Sequence, residues 1–116
     1  YYRKDRNPKP LTKLKCISIR KSMGWCNDIK NKKYYNKLIK INKKIKHEKL
    51  FRRDYKYDFM IPINYNTKKT ELGNGSAIFL HLSNKLKPTL GCVALNKKDF
   101  LILLKLINKN TKIKIV

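Results

Sequence analysis

A chain of 116 residues is enough for one domain with one core, and folding at this length buries roughly two-thirds of the extended-chain surface. The formal net charge is +23, from 30 basic and 7 acidic residues, an excess that raises nucleic acid as a partner because Lys and Arg displace counterions from phosphates. However, 25 of the 30 basic residues are Lys, and Lys, Asn, Ile and Tyr together make up about half of the chain. That skew is what AT-rich coding imposes, so the charge reads first as a solvated surface, then as a match for an anionic polymer such as cell wall, and last as a nucleic-acid footprint. The longest apolar run, Phe100 to Leu104, falls far short of the roughly 18 residues a membrane span needs. Cys16, Cys26 and Cys92 are too few for a disulfide-built fold and are spaced for neither a zinc knuckle nor a redox pair. With His47 and His81 as the other soft ligands, no metal and no cofactor is expected. The start at Tyr1, without a leader, fits a removed signal peptide or an internal fragment.

In chain order, the charged stretch from Tyr1 to Thr12, with Pro8 and Pro10, predicts an extended edge or arm, and Leu14 to Ile19 alternates as a strand. Met23 to Asp28 reads as a Gly-containing loop. Leu38, Ile41 and Ile45 fall at helical spacing and predict a helix, with a further helical turn over Glu48 to Arg53. Tyr57 to Ile63 reads as a strand that Pro62 confines to an edge or a bulge. After the turn-rich Asn64 to Asn74, Gly75 to His81 is a continuous apolar strand of the kind buried on both faces, with His81 at its end. Ser83 to Thr89 is a loop closed by Pro88, and Gly91 to Leu95 returns as a tight turn and short strand. Asn96 is a helix N-cap with Asp99 three residues on, and Phe100, Leu103, Leu104 and Ile107 form the apolar stripe of a helix over about 97–108. Thr111 to Ile115 alternates as a last strand. The fold class expected is mainly β with one clear helix, and there is no internal repeat.

Gly91-Cys92 is the segment with chemical potential. A cysteine directly after glycine in a tight turn can present its sulfur and two backbone N–H groups to one carbonyl, as acyl transfer requires. His81, eleven positions earlier at a strand end, can return across the loop to take the thiol proton and hold a thiolate as an ion pair. On these residues alone, a packed cysteine and a satisfied strand histidine remain the simpler reading.

The wider context shifts that balance. Gly75-Ser76-Ala77-Ile78-Phe79-Leu80-His81, followed by Pro88-Thr89-Leu90-Gly91-Cys92-Val93-Ala94-Leu95, closely resembles the catalytic motif of the L,D-transpeptidases of YkuD type. Met23 to Asp28, Tyr35-Asn36, His47 to Phe51 and Tyr57-Asp58 resemble successive blocks of one bacterial subgroup of that family, in the same order, so the resemblance spans nearly the whole chain.

The resemblance implies a YkuD-like β-sandwich or barrel-type domain over residues 1–116, lacking the family's N-terminal β segment, with an irregular segment where periodicity predicts the helix near Leu38. It implies Cys92 as nucleophile, His81 as base, and an oxyanion hole from the backbone N–H groups around Gly91 and Cys92. A carbonyl just after the histidine, from Leu82 or Ser83, would orient the imidazole. Thr89 matches a Ser or Thr of the family motif, Trp25 and Cys26 are candidates to line the donor-peptide cleft, and His47 beside Glu48 is a candidate supporting pair. The implied reaction is cross-linking of peptidoglycan stem peptides in the cell envelope or periplasm, a role in wall biogenesis and cell shape. In it Cys92 attacks a diaminopimelate carbonyl and expels D-alanine. Leu90 and Ala94 depart from the common motif, which has a second histidine and an arginine there, and the loop is shorter. These departures touch substrate contacts and leave the dyad in place. The rival readings are a cysteine peptidase or amidase with the same dyad, and a catalytically silent basic module that binds wall or nucleic acid.

Overall fold

Gly24 lies at the centre of the first sheet for a steric reason. A Cβ there would come 3.1 Å from the His47 ring and 3.2 Å from the Ile41 side chain, so any larger residue would have to push these two side chains aside. The computed structural model describes residues 1–83 and 92–114. In it β1 (Met23–Cys26) is flanked by two antiparallel neighbours, β2 (Leu38–Lys40) and β3 (His47–Lys49), in the order β2-β1-β3. The segment expected to be a loop and the segment expected to be a helix are thus both strands. Leu38 is exposed and Ile39 buried, an alternation of period two set by pairing with β1, and this overrides the helical spacing of Leu38, Ile41 and Ile45. Glu48 and Lys49 likewise pair with Trp25 and Gly24 instead of opening a helical turn.

The second sheet comprises β4 (Met60–Pro62), β5 (Phe79–Leu82) and β6 (Val93–Leu95). β5 is central, antiparallel to β4 and parallel to β6. Pro62 lies on the edge strand, where its missing N–H costs no ladder bond. β5 is buried along its whole length, but it begins only at Phe79. Ala77 adopts φ of 58°, and a left-handed residue ends the strand expected to run from Gly75. The Leu14 to Ile19 strand reduces to one rung, in which the Tyr2 N–H donates to Ile17 O and the Ile19 N–H donates to Tyr2 O. The partner segment turns away at once, with the N–H groups of Arg6 and Asn7 both donating to Arg3 O. The N-terminal arm is tied down by Asp58, which accepts from Arg6 and Asn7. No strand forms over 111–114, where the Thr111 N–H closes a turn onto Asn108 O; Ile115 lies outside the described residues.

The alternation of the second sheet sorts its side chains onto two faces. Met60 and Phe79 pack with Ile19, Trp25, Leu50 and Tyr57, joined by half-buried Cys92. Leu80 and Leu82, with Val93 and Leu95 at their side, pack with Tyr2, Phe59, Phe100 and Leu104. The second set is the helix side. Helix α1 (Lys97–Leu106) starts where the Asn96 side chain accepts from the Asp99 N–H, has Asp99 in its first turn and Lys105 in its last, and buries Phe100 and Leu104. Leu104 is 5% exposed, while Leu103 is only partly buried. Leu104→Ala is therefore expected to cost about 2 to 5 kcal/mol by cavity formation, and Leu103→Ala distinctly less. Urea unfolding of both variants checks this, and a Leu104→Ala loss within about 0.5 kcal/mol would mean that the helix does not pack on the sheet.

Candidate active site

Cys92 and His81 reach one face of one sheet through strand register. Leu80 pairs with Val93 and His81 with Ala94, so Cys92, one residue before β6, falls on the same side as Phe79, His81 and Ala94. Ala94, directly beside His81, is small and leaves the space over the imidazole to its neighbours. The helix lies on the opposite face and does not touch this pair.

His81 is 1% exposed, and its Nδ1 lies 2.8 Å from Leu82 O. A carbonyl only accepts, so Nδ1 carries the proton of the neutral ring and Nε2 carries the lone pair. Nε2 is buried and has no hydrogen-bond partner among the described residues. Burial is the main cause pushing the imidazolium below its ordinary range; the bond to Leu82 opposes it, Lys56 and Arg52 reinforce it, and Glu48 opposes it. A buried base nitrogen with its lone pair unengaged is suited to accept a proton from a group arriving in the site.

The Cys92 thiol donates to Ala77 O at 3.4 Å. Burial pushes its pKa up, the Phe79 N–H pulls it down, Glu48 raises it and Lys56 lowers it. Both shifts favour a neutral thiol beside a neutral imidazole. This differs from the ion pair expected from the sequence, because the wall of Trp25, Tyr57, Met60 and Phe79 around the pair removes the water that would solvate two charges.

Above the dyad, Tyr57 bridges the two sheets. Its ring meets His81 edge-on at 5.6 Å and Phe79 at 5.6 Å, and its hydroxyl donates to Glu48 Oε1 on β3. A second bridge is Asn36, buried at φ 58°. Its Oδ1 accepts from Trp25 Nε1 at 2.9 Å and from the Ala77 N–H at 3.2 Å. Its Nδ2 donates to Tyr65 O and Asn66 O. The amide thereby holds Ala77 in the left-handed turn whose carbonyl receives the Cys92 thiol.

Leu82 supplies the carbonyl to the imidazole, and the Ser83 N–H donates to Leu95 O at 2.7 Å. Trp25 and Cys26, read as cleft-lining, are in β1; Trp25 is buried against Phe79 and Cys26 has no exposure. Trp25 packs in the core beside Phe79, Cys26 is buried on the other face of β1, and Ser76 Oγ donates to Cys26 O. His47 packs its ring on Gly24 and engages Ile45 O through Nδ1 at 2.7 Å. Its neighbour Glu48, and not His47 itself, reaches toward the dyad. Gly91 and Thr89 lie outside the described residues. Sequence reasoning gave no role to Asn36, Tyr57, Ser76 or Ala77; the signal was that Tyr35-Asn36 and Tyr57-Asp58 stood among the family-like blocks and Ser76-Ala77 in the segment leading to His81.

Among the described residues, no group of three or more His, Cys, Asp or Glu side chains is placed to hold a metal ion, and no helix is long and apolar enough to cross a membrane. No match is found among curated proteins or among solved structures. The family model for the L,D-transpeptidase catalytic domain, YkuD, matches residues 2–115. A match over nearly the full length shows that the chain belongs to the YkuD family of L,D-transpeptidase catalytic domains.

Proposed function

We propose that this domain transfers an acyl group from peptidoglycan stem peptides through a thioester on Cys92, with His81 Nε2 as the proton acceptor. The observation that carries the reading is the buried, unengaged Nε2 on the same sheet face as the thiol. Family membership supports the substrate class, since the family acts on peptidoglycan, and it supports a setting in the cell envelope.

Because burial favours the neutral pair, the thiol still holds its proton when the donor arrives, and His81 takes it in the course of attack. As the sulfur forms its bond to the diaminopimelate carbonyl carbon, the thiol proton passes to Nε2 and the carbonyl oxygen becomes an oxyanion. Backbone N–H groups of the Gly91-Cys92 turn are the proposed donors to it. Collapse breaks the C–N bond to D-alanine, and the imidazolium returns its proton to the leaving amine. An amine from a second stem then attacks the thioester while Nε2 takes its proton, and the thiol is regenerated.

The test is product analysis with a purified tetrapeptide stem, alone and with an amine acceptor. The expected result is D-alanine release with formation of the cross-linked product when the acceptor is present. Release of D-alanine with hydrolysed tripeptide only, at any acceptor concentration, would overturn transpeptidation in favour of a peptidase with the same dyad.

A further inference from the structure

Tyr57 is fully buried between the two sheets at 1% exposure, yet nothing in the transfer step above uses it. Its ring is held at both edges. Phe79 meets it at 86° and His81 at 67°, each at 5.6 Å. Such edge-to-face contacts fix the plane of the smaller ring as well as the larger. The phenol would still rotate or slide in its slot but for its oxygen, which donates to the Glu48 carboxylate on β3. Glu48 is itself fixed by strand pairing opposite Trp25. A chain of contacts therefore runs from the first sheet to the imidazole on the second, while Leu82 O restrains the ring from its other nitrogen. Two restraints on one small ring are what keep an unpartnered Nε2 aimed in one direction.

We infer that Tyr57, anchored by Glu48, is a positioning residue for His81, setting the plane of the imidazole so that Nε2 faces the Cys92 sulfur. This rests on the dyad reading for its consequence in catalysis. Tyr57 also belongs to the apolar wall beside Cys92, but its ring contact and its tie to Glu48 bear on the imidazole, and it is through His81 that it acts. The charged groups that act on the imidazole are Glu48 from β3 and Lys56 and Arg52 from the connection into β4, while Cys92, before β6, shares its sheet face. Lys56 Nζ and Arg52 Cζ stand 5.5 Å and 5.3 Å from the Tyr57 ring centre. Glu48 is the one anion in that set other than a Cys92 thiolate, and it favours the imidazolium that forms during transfer, in line with its effect on His81.

The experiment compares Tyr57→Phe, Glu48→Gln and Glu48→Ala in the full chain, with thermal unfolding as the fold control. The first readout is the pH titration of the His81 ring by NMR, which needs no peptide substrate. Glu48→Gln and Glu48→Ala are expected to move the His81 midpoint to lower pH, because the imidazolium loses its anion. The second readout is acyl transfer. Tyr57→Phe, which keeps the ring and cuts its tie, is expected to lower kcat roughly 10- to 100-fold at nearly constant KM, and Glu48→Gln, whose amide oxygen still accepts the phenol, is expected to retain more of kcat than Glu48→Ala. An unmoved His81 midpoint in folded Glu48 variants, or wild-type kcat in Tyr57→Phe, would overturn the inference. If the wild type turns over no stem peptide, the function proposed above falls, and the NMR titration still decides whether Glu48 and Tyr57 govern His81.

Discussion

His81→Ala is expected to lower acyl transfer by about 10²- to 10⁴-fold, the range that a positioned acid–base group supplies. The reason lies in the resting protonation state. If the site held a preformed thiolate, the base would be needed only for the leaving amine. Burial instead keeps Cys92 as a thiol and His81 as a neutral imidazole, so the same nitrogen must both take the thiol proton and return it. Removing it leaves the thiol in a wall of Trp25, Tyr57, Met60 and Phe79, donating to the Ala77 carbonyl, without the imidazole that would take its proton. The pH profile carries the same signature. Because the imidazolium is pushed below its ordinary value near 6.5, wild-type activity should persist below about pH 6.5 before it falls, and His81→Ala should lose that acid limb. Stability follows with a definite sign. The unfolded chain binds the proton at the ordinary value and the folded chain resists it, so His81 destabilises the fold as pH drops below about 6.5. Steady-state rates between about pH 5 and pH 9, which bracket the ordinary imidazole and thiol values, check the account. A His81→Ala rate within about tenfold of wild type would contradict the range a general base supplies.

Asn36→Ala is expected to be the most damaging substitution outside the dyad, at about 3 to 5 kcal/mol of stability. All four hydrogen-bonding positions of this buried amide are engaged: Trp25 Nε1 and the Ala77 N–H at the oxygen, Tyr65 O and Asn66 O at the nitrogen. Truncation leaves two buried donors unpaired and places alanine at φ 58°, a conformation asparagine tolerates better. Asn36→Asp keeps the acceptor but turns a carboxylate oxygen toward the Tyr65 and Asn66 carbonyls, so it should also destabilise the fold. Denaturant unfolding monitored by Trp25 fluorescence measures the loss. A value below about 1 kcal/mol for Asn36→Ala would mean that these bonds are replaced by water at no cost.

What could be read before the structure, and what could not, divides along the range of the forces involved. α1 was legible because capping and an apolar stripe are local: Asn96, Asp99, Phe100 and Leu104 perform the roles their spacing gave them. The edge position of Pro62 was legible from its missing N–H. β2 and β3 were not, since Leu38, Ile41 and Ile45 have helical spacing, and it is pairing with a glycine-bearing partner that makes strands of Leu38–Lys40 and His47–Lys49 and leaves Ile41 and Ile45 in the connection between them. The break in the strand before Phe79 was hidden for a similar reason. Nothing at Ala77 announces a left-handed residue; the cause is an amide 41 positions away in sequence. At the site, family likeness pointed to Cys92 and His81 by position. Strand register adds that they share a face, and burial adds the neutral pair. The strand that carries Trp25 and Cys26 was hidden because a Gly-containing segment resembles a loop until two neighbours pair with it.

The measurement that bears most directly on the dyad is intact-mass analysis of the protein after brief incubation with a purified tetrapeptide stem, followed by peptide mapping. The account predicts one acyl adduct per chain, lacking the D-alanine of the donor, mapped to Cys92 and absent from folded Cys92→Ala. Cys16 and Cys26 should stay unmodified. An adduct of equal yield in Cys92→Ala, or none on folded wild type under conditions where D-alanine is released, would contradict a thioester at Cys92.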